Sequence, residues 1–498
     1  MAIVVVLALA VLAAATAGCV VGPDYHPPAA DVPAHWSAAP EHSASASSDP
    51  LPWWKAFNDP VLDALIDRAL HANLDLQGAE ARLRAVRASR GIAAAARWPS
   101  VDATGSYQRE RESANAPALD TPGETDNLFQ AGFDARWELD LFGGARRAVE
   151  AAAADLDAAA EERNGVALSL LAEVARNYID LRAGQRQLAL ARDNLAASQD
   201  MLNLTRARYQ GGLAADLDVA RAEAQATEIA ARMPPLETAC QAAVHRLSVL
   251  LGQSPGTLND ELAALQPIPI APTGLPASLP SDLLRQRPDL RRAERQLAAA
   301  TARIGVATAQ LYPQFSLLGT AGLESAAAGD FFNSGSRFWA IGPSLSWPIF
   351  RAGRLQATIE VRDAQQQQAL IAYRQALLIA LEEVENAIVA YTREGTRRAA
   401  LADSTNANQR AVDLARGLYG SGLSDFRAVL DAQRNLFDAQ TALAQSDAAL
   451  ATDRVALCKA LGGGWDATSP PPATGSRDRQ PPYPPASSAG ESPCSASR

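Results

Sequence analysis

Between Leu128 and Phe142, apolar and polar residues alternate without a break. Phe129, Ala131, Phe133, Ala135, Trp137, Leu139 and Leu141 take turns with Gln130, Gly132, Asp134, Arg136, Glu138 and Asp140. A period of two predicts a β-strand with one apolar and one polar face. Further strands are predicted at Val101 to Arg109, Gln314 to Leu323 and Phe338 to Phe350. The last carries Trp339, Ile341, Leu345, Trp347 and Ile349 on one face. Pro343 shares that face and Pro348 falls on the other; both remove ladder hydrogen bonds, which predicts an edge or a rim. Such strands fit a membrane barrel with lipid outside and water inside, or a soluble sheet packed on a core. Four strands cannot close a membrane barrel, because the smallest have about eight. A spanning role therefore needs an oligomer, and strand arithmetic admits both a dimer and a trimer.

Elsewhere the period lengthens to that of helices. One helix is predicted from about Ala145 to Ala207 and a second from Leu355 to about Leu418. At 1.5 Å per residue the first spans roughly 95 Å, far more than a globular domain uses. Val174, Leu181, Leu188, Leu195 and Leu202 recur every seven residues, with small Gly184, Ala191 and Ser198 three residues after the middle members. Leu370, Leu377, Val384 and Tyr391 keep the same period in the second helix, and Leu401 follows after a three-residue phase shift. These are coiled-coil seams. Their partners are returning helices from Leu217 and from Val429 onward. Met233-Pro234-Pro235 predicts a kink or break in the first of these. The second has Ala444-Gln445 at that place.

The chain is written twice. Gly91 to Pro99 parallels Gly305 to Pro313, Tyr209 to Leu213 parallels Tyr419 to Leu423, and Leu251-Gly252 parallels Leu461-Gly462. Matches in the same order at near-constant separation indicate duplication. The organisation read from this is a signal peptide over 1–18, an extended segment over 19–57 and a first repeat over 58–256. A Pro-rich linker over 257–280 follows, then a second repeat over 281–465 and a disordered tail over 466–498. Asp59-Pro60 predicts the first helix start, with aspartate as cap and proline in the first turn.

Composition narrows the picture. Hydrophobic residues reach 48% but aromatics only 6%, since much of the apolar content is alanine, which suits closely packed long helices. The formal charge of −10 and the lack of a basic cluster argue against a nucleic-acid partner. Ile3 to Ala15 is almost wholly apolar, and Thr16-Ala17-Gly18 precedes Cys19. These residues resemble a bacterial lipobox, which implies a lipid on Cys19; an ordinary signal peptide beside a chance cysteine is the alternative. No Lys or Arg precedes the apolar run, which leaves room for a start further upstream. No later stretch is long and apolar enough for a spanning helix. Cys240, Cys458 and Cys494 have no metal-ligand spacing; a Cys240–Cys458 disulfide or isolated thiols are both open. The five histidines are scattered, and no P-loop or GxSxG appears, so no metal, cofactor or catalytic set is expected.

Several segments resemble one family. Cys19-Val20-Val21-Gly22-Pro23-Asp24-Tyr25 and Trp53 to Pro60 are similar to its amino-terminal signatures. Arg287-Pro288-Asp289-Leu290-Arg291, Trp347 to Gly353 and Leu457 to Trp465 continue the match. The chain resembles the TolC/OprM-like outer-membrane efflux proteins, in the NodT-like lipoprotein branch. The resemblance implies an α+β membrane protein that works as a homotrimer. Four strands per chain would build a shared twelve-stranded transmembrane barrel, and the long helices a periplasmic tunnel. It implies a passive, gated conduit for drugs or other toxic compounds, lipid-anchored in the outer membrane of a Gram-negative bacterium. The partners would be a periplasmic adaptor (membrane fusion) protein and an inner-membrane transporter of the resistance-nodulation-division class. A trimeric coiled-coil surface anchor without a pore is the competing reading.

Site residues follow from the same sources. Phe129, Phe133, Trp137, Leu139, Trp339, Ile341, Leu345 and Trp347 are expected to face lipid. Tyr209, Gly211, Gly212, Leu213, Tyr419, Gly420, Gly422 and Leu423 are expected at an adaptor-docking tip, or they only terminate helices. The family closes its tip with charges near the second turn, where Arg416, Asp425 and Arg427 stand beside Phe426. Asp425 is one position later than the resemblance calls for, with Ser424 in that place, so a solvated charge is the alternative.

Overall fold

A computed structural model of the chain describes residues 20–29, 32–38, 52–111, 125–270 and 280–462. The expected signal peptide, Cys19, Cys494 and the expected disordered tail lie outside these residues.

In the first copy, Asp59 accepts hydrogen bonds from the Val61 and Leu62 amides and starts helix α1 (Pro60–Ala72). Leu62, Leu65, Ile66 and Ala69 recur at helical spacing and are all fully buried. Each of the larger three contributes about 1.5–3 kcal/mol by leaving water. Helix α2 (Leu74–Ala95), strands β1 (Ser100–Arg111) and β2 (Thr125–Leu139), and helices α3 (Gly144–Gln210) and α4 (Asp216–Leu250) follow. A single helical turn, α5 (Asn259–Leu262), stands in the segment expected as the linker. The second copy has α6 (Leu283–Gln286), α7 (Pro288–Ala309), β3 (Gln314–Ser325), β4 (Arg337–Ser346), α8 (Arg354–Gly420) and α9 (Phe426–Ala460).

The duplication extends to small devices. Asn73 caps α2, and its side-chain amide donates to the Leu250 carbonyl at 2.9 Å. Arg287, just before α7, donates to the Ala460 carbonyl at 2.9 Å. Two residues beyond each of those carbonyls stands a glycine with positive φ, Gly252 at 67° and Gly462 at 70°. A Cβ on Gly252 would lie 2.4 Å from the Ala72 carbonyl oxygen, and one on Gly462 2.8 Å from that of Gln286. In both copies the returning helix ends against the start of its own repeat, and only glycine allows the approach.

Three expectations change. Of the kink or break expected at Pro234-Pro235, the break does not occur: α4 is continuous from Asp216 to Leu250. The carbonyls they leave without a donor belong to Ala230 and Ala231, which are exposed and so open to solvent. The segment expected to be extended and unpacked is packed where it is aromatic. Trp53, Trp54 and Phe57 are buried in a short 3-10 turn, with rings edge to face at 5.6 and 6.4 Å. Strand β4 ends at Ser346, so Trp347 and Ile349 lie beyond it, where Pro348 removes a ladder donor.

The strands form one antiparallel sheet in the order β1-β2-β3-β4, so β1 and β4 are its open edges. Both hairpins run away from the sheet's helix-bearing end. Cys240 and Cys458 are free thiols; burial raises both above the ordinary thiol range.

Candidate functional site

Residues directly opposite each other in an antiparallel pair share a face. Phe129 pairs with Tyr107, Phe133 with Ala103 and Ala135 with Val101 on β1. Phe133 also faces Ala321, Trp137 faces Leu317 and Leu139 faces Phe315 on β3. Ala321 in turn faces Trp339, Gly319 faces Ile341 and Phe315 faces Leu345 on β4. The apolar face read from β2 is thus carried across all four strands. Phe133, Trp339, Ile341 and Leu345 are exposed, so no core among the described residues covers this face.

The opposite face is mostly polar on β1 and β2, with Leu128, Leu318, Phe338 and Ala340 interrupting it. Asp102 stands directly across from Asp134, and Thr104 donates to the Asp134 carboxylate at 2.9 Å. Like charges directly opposite repel, so this arrangement needs a water-filled surrounding. The helix-proximal end is pinned in the same way in both copies. The Trp137 indole donates to the Arg97 carbonyl at 3.0 Å, and the Trp347 indole to the Leu311 carbonyl at 3.2 Å. Trp347 keeps its place beside the strands although it lies outside β4.

At the far end, the two turns close alike. Gly212 donates to the Tyr209 carbonyl and Leu213 to that of Arg208; Gly422 and Leu423 donate to those of Tyr419 and Leu418. Gly212 and Gly422 have φ of 70° and 73°, the left-handed cap that glycine favours. Leu213 and Leu423 are exposed at the turn tips.

The two tyrosines differ. Tyr209 is 47% exposed, whereas Tyr419 is 5% exposed. Tyr419 packs with Phe426, Leu202, Ala222 and Val429, so it belongs to the tip's interior. Arg208 lies over the Tyr419 ring at 4.5 Å and donates to its carbonyl at 2.9 Å, tying one hairpin to the other. Arg208 escaped the sequence reading. The only signal was that its counterpart in the second turn is Leu418.

The candidate gate residues are not drawn into one cluster within the chain. Phe426 is buried, and Asp425 caps α9 by accepting from the Ala428 amide at 3.0 Å. Arg427 pairs with Asp431 on its own helix at 3.7 Å, and Arg416 is exposed.

Near the sheet, the amino-terminal segment straps the two copies together, a feature the sequence reading did not place. The Val21 amide donates to the Phe142 carbonyl. The buried Arg147 donates to the Val21 and Gly22 carbonyls and pairs with Asp24 at 2.6 Å and Glu150 at 2.8 Å. Tyr25 donates to Glu294 on α7 at 3.0 Å, and burial, helped by that carboxylate, raises its phenol. The Ser37 and Ala38 amides donate to Glu385 on α8. Among the described residues no group of side chains could hold a metal ion, and no helix is long and apolar enough to cross a membrane.

The family described as outer membrane efflux protein matches residues 65–253 and 279–463. The probable efflux pump outer membrane protein TtgC of Pseudomonas putida is 35% identical over 463 residues, covering 92% of this chain and 95% of its own length. Nodulation protein T of Rhizobium leguminosarum bv. trifolii is 33% identical over 421 residues, covering 84% and 89%. The solved structure of the outer-membrane channel OprN superposes with a TM-score of 0.85 at 37% identity, over 90% of this chain and 100% of that one. The open state of the Neisseria gonorrhoeae MtrE outer membrane channel gives 0.80 at 29% identity, over 90% and 98%. With both copies matched and near-complete coverage of its relatives, this chain belongs to the outer membrane efflux protein family.

Proposed function

We propose that this chain is the outer-membrane exit duct of a tripartite efflux pump, a passive and gated conduit rather than an enzyme. The observation that carries the reading is the sheet: one register gives four strands a common exposed apolar face, a polar reverse and two open edges. Open edges in lipid leave backbone groups unpaired, so such a sheet must close with copies of itself. Three chains supply twelve strands, in keeping with the family. Along β2 the apolar face from Phe129 to Leu139 covers roughly 34 Å, or about 24 Å of membrane at a 45° tilt. That matches the apolar band of an outer-membrane barrel, about 25 Å.

Helices of 67 residues reach roughly 100 Å from the sheet, a span suited to the periplasm. Their tips, with Leu213 and Leu423 outermost, would dock on a periplasmic adaptor. The adaptor would link the duct to an energised inner-membrane transporter of the resistance-nodulation-division class. Lipid on Cys19 would anchor the strap beside the barrel. Arg416 and Asp425 remain the candidates for charged closure.

The test is conductance of the purified full-length protein in planar bilayers, with its assembled mass measured in detergent. Wild type should be trimeric and conduct weakly. Asp425→Asn, which keeps the helix cap but removes the charge, or Arg416→Ala should raise conductance. Trimers that insert yet never conduct, in wild type or either variant, would identify the non-conducting anchor instead.

A further inference from the structure

The end of the sheet farthest from the helices is sorted by charge. On the apolar face, the described residues of that end include three arginines, Arg109, Arg111 and Arg337. No carboxylate occurs anywhere on this face among the described residues. The reverse face at the same end carries Glu110, Asp126 and Glu324 and no base. Adjacent positions on one strand, Arg109 and Glu110, are therefore divided between the faces by charge. All three arginines are exposed, and none of their guanidinium groups is hydrogen-bonded or ion-paired among the described residues.

Position sharpens the point. Arg337 is two residues from Trp339, and Arg109 is two from Tyr107, whose ring lies 4.8 Å from that of Phe129. Amphipathic aromatics of this kind sit where acyl chains give way to headgroups. Guanidinium groups just beyond them stand at headgroup depth, with their stems along the apolar wall. At the helix-proximal end the same face holds Val101, Leu139, Phe315 and Leu345, with no arginine. A generic need for solubility would not favour one end, one face and one sign.

We propose that Arg109, Arg111 and Arg337 form an outward collar that binds the phosphate groups of a phosphorylated glycolipid in the outer leaflet. The planar fork of each arginine matches two phosphate oxygens at once, and no carboxylate among the described residues of this face competes with lipid for the forks. This rests on the sheet being a barrel wall; in a trimer, three such sets would surround the rim. The acidic reverse face repels the same phosphates from the lumen.

The experiment uses the purified full-length protein. Insertion into neutral phosphatidylcholine vesicles, followed by flotation, reads the wall alone. Binding of diphosphoryl lipid A to the detergent-solubilised protein, followed by native mass spectrometry and by the thermal midpoint, reads the collar. Dephosphorylated lipid A and inorganic phosphate serve as comparisons. Wild type should insert into neutral vesicles and be stabilised by diphosphoryl lipid A only. The variant R109Q/R111Q/R337Q should still insert but bind about tenfold more weakly or worse, a difference set by the lost charge-assisted contacts. Arg337→Lys alone, which keeps charge and loses the fork, should give a smaller loss and serves if the triple variant fails to insert. Equal binding by wild type and variants, or equal stabilisation by inorganic phosphate, would overturn the collar. Failure of wild type to enter neutral vesicles would overturn the wall reading instead.

Discussion

Helices α3 and α8 are both 67 residues long, and the helices returning from them, α4 and α9, are both 35. Within one chain, α3 has 23 buried residues and α8 has eight. Helix α3 lies at the centre, against α1, α2, α4, α7 and α9, whereas α8 packs mainly on α7 and α9. Duplication copied lengths and turns but not surroundings. An apolar set that includes Ile371, Leu378, Ile379 and Val389 is left exposed on α8. In a trimer, that set is available to a neighbouring chain.

The largest test of this difference compares two leucines. Leu171 on α3 is 1% exposed and Leu378 on α8 is 67% exposed. Leu171→Ala should cost about 2–5 kcal/mol, through lost burial and the cavity left behind. Leu378→Ala should change subunit stability by about 0.5 kcal/mol or less, yet reduce the assembled fraction. Urea unfolding in detergent reads the first effect and native electrophoresis the second. Equal destabilisation by both would mean that α8 is already as enclosed as α3.

A somewhat smaller effect comes from exchanging the prolines. Ala444 is buried in α9 at the place where α4 has the exposed Pro234. Ala444→Pro should lower stability by about 3 kcal/mol, because it removes an interior helix bond and its ring meets the preceding turn. Replacing Pro234-Pro235 by Ala-Gln should raise stability in the same unfolding assay. A neutral Ala444→Pro would show that the second hairpin tolerates an interior proline as the first one does.

The smallest effect is electrostatic. The Arg232 hydrogen bond at 2.8 Å, with Arg434 reaching from α9 at 3.1 Å, holds the Glu228 carboxyl below the ordinary carboxylate range. A carboxylate whose folded value is depressed stabilises fully above its unfolded value, and that stabilisation fades as pH falls through the folded value. The partners are half-exposed, so the gain is small. The thermal midpoint of wild type should fall relative to Glu228→Gln as pH drops from 7 to 3. Parallel curves would remove the pair from the link between hairpins.

Much of the frame could be read from local pattern. The alternation from Phe129 to Leu139 needs only a period of two, and the structure carries its apolar face across every strand. Small Gly184, Ala191 and Ser198, read as seam residues, are all buried. Tyr209 and Tyr419 mark where such reading stops. They occupy matching positions in the two turns, yet one is exposed and one is interior, because Arg208 of the other hairpin covers only Tyr419. The strap was equally silent, since Arg147 meets Val21, Gly22 and Asp24 across more than a hundred residues of chain.

The sequence by itself determined which segments are strands and which are long helices, where they turn, and that the plan occurs twice. Those properties depend on periodicity, capping and backbone freedom, which act over a few residues. Only the tertiary structure decided which copy is central, which tyrosine is covered, and where the strap crosses. Each of these is a contact between groups distant in sequence, and near-identical local patterns can meet very different partners. Burial and charge pairing are properties of those partners, and no period along one helix encodes them.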